Sequence, residues 1–350
     1  MPKTLARVKV KSASSSPVNT FLERLTGSWM TQALYVAAKL GIADLLKNGP
    51  KTCEDLAAAT STQASSLHRL LRALATIEIC NETEDGAFTL APMGSFLLTD
   101  GASSLRSWTI WWGGHLWPAW GNLLHSVRTG KSARKLLTGK DGFDHLESNA
   151  ETAALFDRAM AELTALNSRD ILRVYDFSGF KRITDIGGGY GEFLLFILRQ
   201  HPGVKGVVFD LPRAVEGGRR HAKKAGLASR CEFLTGDFFE SIPGGADAYL
   251  LKNVLHDWND EKSRQILENC RRSMDKNARL LVIEQLLPEQ RGISTAHQAI
   301  SQNDLTMLVA HGAQERTERE YKALLKSAGF MITRTLQTGT GICTIEAFPV

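Results

Sequence analysis

Residues 182–198 read RITDIGGGYGEFLLFIL, and this stretch decides the fold. Its first five residues are typical of a strand, the glycines from Gly187 to Gly191 indicate a turn, and the apolar residues from Phe193 to Leu198 have helical spacing. Glycine adopts positive φ angles and lets the backbone approach a ligand closely. The stretch therefore predicts a strand, a binding loop and a helix.

The same alternation of strands and helices continues downstream. Further strands are predicted at 204–210, 231–234, 248–251 and 279–284, with helices that include 212–224 and 260–274. This pattern predicts an α/β domain built on a doubly wound, Rossmann-like parallel sheet. Ligands of such sheets bind beyond the carboxyl ends of the strands, near the point where the strand order reverses.

The N-terminal part of the chain is mainly helical. Apolar residues have helical spacing from Phe21 to Leu46, Thr52 can cap a short helix, and a further helix begins at Ser65 or Ser66. A hairpin follows, with strands at 77–80 and 87–90. Helix, turn, helix and hairpin together predict a winged-helix module.

A winged helix can bind DNA, so a ligand-sensing regulator is one alternative. The second helix offers only His68, Arg69 and Arg72, and the wing carries four acids that would face phosphates: Glu78, Glu82, Glu84 and Asp85. Because phosphate neutralisation dominates affinity for DNA, we expect a packing or dimerisation module and no nucleic-acid partner.

Composition narrows the class of protein further. The chain has 42 Lys+Arg and 37 Asp+Glu, and its five scattered cysteines form no C-x-x-C pair, which fits a reducing compartment. Four cations without an acid lie in the first 17 residues, so the body is near neutral and attraction to a membrane is not indicated. No apolar run could span a bilayer. We expect a cytoplasmic protein with a flexible tail; a transit peptide stays an alternative, whereas the missing apolar segment argues against a secretory signal.

These patterns divide the chain into four parts. We predict a flexible basic tail at 1–17, a winged-helix dimerisation domain at 18–102, a helical connector at 103–172 and the α/β domain at 173–350. The connector begins with five tryptophans that serve the core, a subunit interface or the wall of a pocket for a flat ligand: Trp108, Trp111, Trp112, Trp117 and Trp120.

Two acids flank the glycine loop, Asp185 and Glu192. Glu192 occupies the position of the third glycine of the G-x-G-x-x-G pattern, which disfavours a dinucleotide and hence an NAD-dependent oxidoreductase, the second alternative. A carboxylate on each side suits a ligand with a cationic portion better than a diphosphate.

Acids also end the next two predicted strands. Asp210 is placed to accept hydrogen bonds from both ribose hydroxyls, and Asp237 and Phe238 offer a carboxylate and a ring to an adenine. Each acid alone could be a cap, but three successive strand ends indicate an adenosine derivative.

His256 follows the fourth predicted strand, at the edge where such sites gather. A lone histidine is often structural, yet neutral imidazole is also the side chain best suited to remove a proton near pH 7. Glu284 and Glu315 are candidates to orient the ring, although Glu315 could instead pair with Arg316 or start the helix through Leu325.

At this point the chain resembles the class I S-adenosylmethionine-dependent O-methyltransferases of the caffeic acid, hydroxyindole and polyketide type. The resemblance runs from about Phe21 to the C-terminus and is carried by the motifs DIGGG (185–189), LHDW (255–258), IE (283–284) and ERT (315–317). It implies methyl transfer from S-adenosyl-L-methionine, with S-adenosyl-L-homocysteine as product, to a phenolic hydroxyl of a small aromatic, secondary-metabolite-like acceptor. It further implies His256 as base with Glu284 and Glu315 beside it, no metal, and a homodimer formed through the N-terminal domain.

The resemblance also implies residue roles. The cofactor-binding set is Asp185, Gly187, Gly189, Gly191, Asp210, Leu211, Asp237, Phe238, Lys252 and Trp258. The acceptor-binding set is Trp112, Phe156, Met160, Asn253, Asp257, Asn303 and Met307. Where the plant relatives have Pro-Gly-Gly-Lys this chain has HGAQ at 311–314, so the acceptor stays open, and oxygen is favoured over nitrogen as the atom methylated. Metal-assisted transfer is the second mechanism; it needs hard oxygen ligands, and no Asp/Asp/Asn group stands out beside His256.

Overall fold

The computed structural model describes residues 16–290 and 292–350, so almost all of the predicted tail lies outside the described residues. The chain divides into two compact units, Met1–Trp117 and Pro118–Val350. This division falls inside the segment that the sequence predicts as a connector. Among the described residues, no helix combines the length and the hydropathy that a bilayer crossing would demand.

The first unit is helical with a short hairpin. Its helices are α1 (Pro17–Leu40), α2 (Ile42–Leu46), α3 (Cys53–Thr60), α4 (Ala64–Thr76) and α5 (Arg106–Ile110). The predicted cap is confirmed, because the Thr52 hydroxyl accepts from the backbone N–H of Asp55. The hairpin strands, β1 (Cys80–Glu82) and β2 (Phe88–Leu90), start later than predicted. Glu78 has a φ of 63°, so residues 77–79 turn instead of extending.

The second unit begins with helices and continues as an α/β domain. Its helices are α6 (Trp117–Gly121), α7 (Leu123–Thr129), α8 (Ala133–Thr138), α9 (Ala150–Val174), α10 (Glu192–Gln200), α11 (Pro212–Lys224), α12 (Asp260–Ser273), α13 (Thr295–His311) and α14 (Glu318–Ser327). Its strands are β3 (Arg182–Ile186), β4 (Lys205–Asp210), β5 (Cys231–Thr235), β6 (Ala248–Lys252), β7 (Arg279–Leu287), β8 (Arg316–Thr317), β9 (Phe330–Gln337) and β10 (Ile342–Pro349).

The main sheet has the strand order β5-β4-β3-β6-β7-β10-β9. The first five strands are parallel, as the sequence predicts, and the order reverses between β3 and β6, which is the expected ligand crevice. The prediction of a purely parallel sheet was wrong at one edge, because β10 runs antiparallel to both β7 and β9. Strands β9 and β10 form a hairpin, which needs no crossover helix. The sheet is therefore mixed.

Both faces of the sheet are covered. Along β7, Leu280 and Val282 pack on the side of α12 and α14, whereas Leu281 and Ile283 pack on the side of α9, α10 and α11. Alternate residues of a strand point to opposite faces, so a strand with helices on both sides needs a nearly continuous apolar run. Glu284 ends this run and is 0% exposed, which places a carboxylate at the carboxyl edge of the central sheet.

Candidate active site

The glycine loop between β3 and α10 has backbone angles that favour glycine. Gly187, Gly189 and Gly191 have φ angles of 66°, 58° and 74°. Gly188 lacks the positive φ but lies against the preceding strand, since a Cβ there would be 2.6 Å from Oδ2 of Asp185. The loop can therefore present backbone N–H groups to a ligand at the carboxyl end of β3.

Asp210 ends β4 and braces this loop. Its Oδ2 accepts from the backbone N–H of Gly189 at 2.7 Å, and its Oδ1 accepts from the backbone N–H of Leu211 at 2.6 Å. Each carboxylate oxygen keeps a further lone pair, so the same acid can accept from two hydroxyls of a ribose. Leu211 is also the residue that precedes α11.

Asp237 and Phe238 lie just beyond β5, which ends at Thr235, one residue later than the predicted strand 231–234. Asp237 accepts from the backbone N–H of Phe239 at 2.8 Å. The ring of Phe238 reaches the glycine loop, because a Cβ at Gly187 would be 3.5 Å from it. The structure thus brings the three strand ends that the sequence singled out to one crevice.

Asp185 is buried at the carboxyl end of β3, and Lys252 is half-buried at the carboxyl end of β6. Burial raises the pKa of Asp185 to about 7, against the opposing charge of Lys252. Burial likewise lowers the pKa of Lys252 to about 8, against the charges of Asp185 and Glu284. The ammonium of Lys252 donates to Oγ1 of Thr164 on α9 at 3.2 Å. Trp258, the last of the predicted cofactor residues, packs edge-on against Phe239 with 4.7 Å between ring centres.

His256 lies on the 3₁₀ turn Leu255–Asp257 that follows β6. Its Nδ1 is 2.9 Å from Oε1 of Glu315 and 3.6 Å from Oε2 of Glu284. Because an ionised carboxylate can only accept, Nδ1 carries the proton that faces Glu315, and the lone pair of a neutral ring is on Nε2. No described residue forms a hydrogen bond with Nε2.

The two carboxylates raise the basicity of this imidazole. Burial alone lowers the pKa of His256, but the charges of Glu284, Glu315 and Asp257 outweigh it and hold the pKa well above the usual value. Burial raises the pKa of Glu284 to about 7, against the opposing charge of His256. The two carboxylates therefore stabilise the protonated form of His256. A proton that one of these three side chains takes up changes the proton affinity of the other two.

Each carboxylate is held by groups from another part of the chain. Oε1 of Glu284 accepts from the backbone N–H groups of Val254 and Leu255 at 3.1 and 3.0 Å. Oε1 of Glu315 accepts from Nδ2 of Asn303 at 2.5 Å. Asn303, predicted to bind the acceptor, thus contacts the carboxylate that is bonded to His256.

The sequence left two alternatives open for Glu315, an ion pair with Arg316 or the start of the following helix. The contacts of Arg316 and the start of α14 exclude both. Its guanidinium donates to Oδ1 of Asp260 at 2.8 and 3.0 Å and to the carbonyl of Leu255 at 2.9 Å. Helix α14 starts only at Glu318. Glu315 therefore neither pairs with Arg316 nor starts the helix. Sequence reasoning missed that Arg316 is buried under the turn carrying His256, because burial depends on residues far away in the chain.

His256, Glu284 and Glu315 are also the one group of potential metal ligands in the part of the chain that is described, with ligand atoms within 4.8 Å of one another. The separation of 2.9 Å between Nδ1 and Oε1 is a hydrogen-bond distance. An ion between these two atoms would have to replace that bond. The donor set as it stands fits an oriented imidazole better than a metal centre.

Aromatic side chains surround Phe143, which sequence reasoning missed because no local pattern marks it. Its ring centre is 5.6 Å from that of Phe156, 4.8 Å from that of His311 and 6.1 Å from that of Trp258. Of the other predicted acceptor residues, Met307 is buried on α13, Met160 is half-buried on α9, and Asn253 is exposed with a φ of 52°. Trp112 belongs to the other compact unit.

A mixed α/β sheet with a glycine loop and acids at its switch point is typical of an enzyme that uses a nucleoside cofactor. Residues 120–331 match the O-methyltransferase domain and residues 22–100 match the O-methyltransferase dimerisation domain. The chain belongs to this family of O-methyltransferases. It is an S-adenosylmethionine-dependent methyltransferase, which confirms the resemblance drawn from the motifs.

The similarity to known proteins extends over almost the whole chain. The chain is 40% identical to the phenazine O-methyltransferase PhzM of Lysobacter antibioticus, over 97% of this chain and 98% of that one. It is 38% identical to the mitomycin biosynthesis 6-O-methyltransferase of Streptomyces lavendulae, over 97% and 95%. Human N-acetylserotonin methyltransferase, solved in complex with S-adenosylmethionine, superposes with a TM-score of 0.89 at 29% identity, over 97% and 99%.

Proposed function

We propose that the enzyme methylates a phenolic hydroxyl of a small, planar aromatic acceptor, with His256 as the general base and without a metal. One observation carries the proposal: the imidazole of His256 is oriented by two buried carboxylates through Nδ1, and its Nε2 makes no hydrogen bond to a described residue. A base needs one nitrogen held and the other free.

The proposed mechanism requires little more than this base. S-adenosylmethionine supplies an activated methyl group, so the protein need not provide an electrophile. Nε2 of His256 would take the proton of the acceptor hydroxyl while the hydroxyl oxygen attacks the methyl group. The carbon–sulfur bond of the cofactor would break, S-adenosylhomocysteine would leave, and Glu284 and Glu315 would stabilise the imidazolium. The ring must be neutral beforehand, and since its pKa is raised, activity falls as the pH falls.

The crevice residues have matching proposed roles. The loop from Gly187 to Gly191 would hold the methionine part of the cofactor, with Asp185 beneath it, and Asp210 would hold the ribose. Asp237 and Phe238 would contact the adenine. The bonds from Gly189 and Leu211 to Asp210 support this assignment, because they fix the carboxylate next to the loop before a ligand arrives.

The acceptor's aromatic character is proposed from the aromatic residues near the base and from the relatives. Phe143, Phe156, Trp258 and His311 form one contiguous group, which suits a flat ring. The similar proteins are named for phenazine, mitomycin and naphthoate methylation.

Oxygen is the proposed methyl acceptor, although one relative at 36% identity is an 8-amino-8-demethylriboflavin N,N-dimethyltransferase. A phenol is a weak nucleophile until its proton is removed, whereas an aromatic amine already offers a lone pair. The carboxylate pair behind His256 serves a reaction in which proton removal accompanies attack, and this favours a hydroxyl.

A homodimer is the proposed assembly, and the dimerisation-domain match supports it. Helix α1 exposes a row of large apolar side chains that a second copy would cover: Val18, Phe21, Leu22, Leu25 and Trp29. A cytoplasmic location and the absence of nucleic-acid and membrane partners stay predictions.

The variant His256→Ala tests the proposed base. We expect turnover with a hydroxylated polycyclic acceptor to fall by about 10²–10⁴-fold, while affinity for S-adenosylhomocysteine by calorimetry changes less than about threefold. A loss of cofactor affinity with the loss of turnover would reassign His256 to structure. Turnover that survives the substitution would reject it as the base.

A further inference from the structure

A buried ion pair joins α9 to α11 near the carboxyl end of β4. Nη1 of Arg213, in the first turn of α11, is 3.0 Å from Oδ1 of Asp157 on α9. The side chain of Asp157 is 6% exposed, and that of Arg213 is 20% exposed. Burial raises the pKa of Asp157 to about 6; the charge of Arg213 opposes this shift, and the charge of Asp210 adds to it. The pair therefore lies within electrostatic reach of the acid that is proposed to hold the ribose.

The stability of the fold does not account for this pair. Burying an ion pair removes the hydration of both charges, and an apolar pair of similar volume is often equally stable or more so. The raised pKa of Asp157 shows that the ionised carboxylate is disfavoured at this place even with Arg213 beside it. A charge that is kept there despite this cost indicates a task that requires it.

Arg213 has a second possible partner in Asp210, three positions earlier in the chain. Burial raises the pKa of Asp210, against its two backbone hydrogen bonds and the charge of Arg213. An arginine can donate to both oxygens of one carboxylate, and Nε of Arg213 is buried without a hydrogen-bond partner in the described part of the chain. A pair with Asp210 would occupy the lone pairs that the N–H groups of Gly189 and Leu211 leave open. In the structure, Asp157 holds the guanidinium instead.

We propose that Asp157 is a positioning residue of the cofactor site, which binds Arg213 and thereby keeps Asp210 free to accept hydrogen bonds from the ribose. Arg213 remains close enough for its charge to favour the ionised form of Asp210 without occupying its oxygens. This rests on the ribose role proposed for Asp210. The preceding residue on α9, Phe156, has its ring centre 5.6 Å from that of Phe143. The ion pair therefore also joins the proposed acceptor pocket to the cofactor site.

Calorimetric titrations of the full chain with S-adenosylhomocysteine test this role, at about pH 8, well above the ordinary pKa of a carboxyl group. The variants are Asp157→Asn, which removes the charge at nearly constant volume, Arg213→Gln, and the combination of both. Loss of the charge at position 157 releases Arg213, which then competes with the ribose for Asp210. Because hydrogen bonds to charged groups are the stronger ones, we expect Asp157→Asn to raise the Kd by roughly 10–100-fold.

The double variant separates positioning from structural support. Without the guanidinium nothing competes for Asp210, so we expect Arg213→Gln, alone or combined with Asp157→Asn, to bind within about threefold of wild type. A supporting role predicts instead that the double variant binds at least as weakly as Asp157→Asn. The matched control Glu232→Gln breaks an ion pair of 2.9 Å with Arg182 near the amino ends of β5 and β3, and it should keep the wild-type Kd.

Asp157→Ser is the second variant at this position, and circular dichroism checks the fold of each protein. Three results would overturn the proposal: an unchanged Kd in Asp157→Asn, a double variant as weak as Asp157→Asn, or the failure of both Asp157 variants to fold, since a pair that folding requires serves stability. Failure of the proposed ribose role looks different, because Asp210→Ala would then leave the Kd unchanged. A weakened Kd in Asp210→Ala with an unchanged Kd in Asp157→Asn would reject the positioning role alone.

Discussion

Removing the charge of Glu315 tests most directly how this carboxylate tunes the pKa of His256, the proposed base. In Glu315→Gln, Asn303 selects the orientation of the new amide, because its Nδ2 donates to the atom at the Oε1 position, which must then be the carbonyl oxygen. That oxygen can still accept from Nδ1 of His256 at 2.9 Å. The ring orientation is kept and only the charge is lost.

The magnitude follows from this distance. With an effective dielectric constant of about 20, a unit charge about 2.9 Å away contributes at most roughly 6 kcal/mol. Reorganisation and the hydrogen bond that remains reduce this, so we expect the pKa of His256 to fall by about 1–3 units. The folded protein now releases the ring proton at lower pH, and the acid limb of kcat/KM moves to lower pH by the same amount. The plateau falls as well, by about 10-fold or more, because a weaker base removes the phenolic proton less readily.

The assay is a pH–rate profile at saturating S-adenosylmethionine, with Glu268→Gln as control because Glu268 is exposed on α12. The control should keep the wild-type profile. An acid limb that stays in place in Glu315→Gln, despite an unchanged fold by circular dichroism, would show that Glu315 does not tune His256. A complete loss of activity in Glu315→Asp as well, which keeps the charge on a shorter side chain, would instead indicate a steric role.

Three further predictions concern the loop, the support of the base and metal. Gly188→Ala should weaken cofactor binding by about tenfold or more in calorimetry, because the new Cβ would lie 2.6 Å from Oδ2 of Asp185; unchanged affinity would show that the loop adapts. Arg316→Met should lower the free energy of unfolding by about 1–3 kcal/mol in urea titrations, because the buried carbonyl of Leu255 loses its charged donor; an unchanged free energy of unfolding contradicts this. Incubation with EDTA followed by desalting should leave kcat unchanged, and recovery of a lost activity by added Zn²⁺ or Mg²⁺ would instead establish a metal mechanism.

Local sequence patterns were sufficient to predict the parallel strands of the sheet. The predicted strand 182–186 and the helix 212–224 match β3 and α11, because an apolar run between turn signals and a proline at a helix start act over a few residues. The antiparallel strands β9 and β10 were missed. Their pairing depends on a turn and on contacts with β7, which lies more than 40 residues earlier in the chain.

The sequence by itself determined the units whose causes are local: the glycine loop with its positive φ angles, the acids at strand ends and a histidine after β6. Parallel strands bring their carboxyl ends to one edge of the sheet. The approximate position of the site therefore also follows from the order of the strands and helices. Only the tertiary structure decided that Glu284 and Glu315 reach Nδ1 of His256 and that His311 faces Asp257. These contacts join residues 28 to 59 positions apart in the chain. The raised pKa of His256 arises from charges that only such packing brings together.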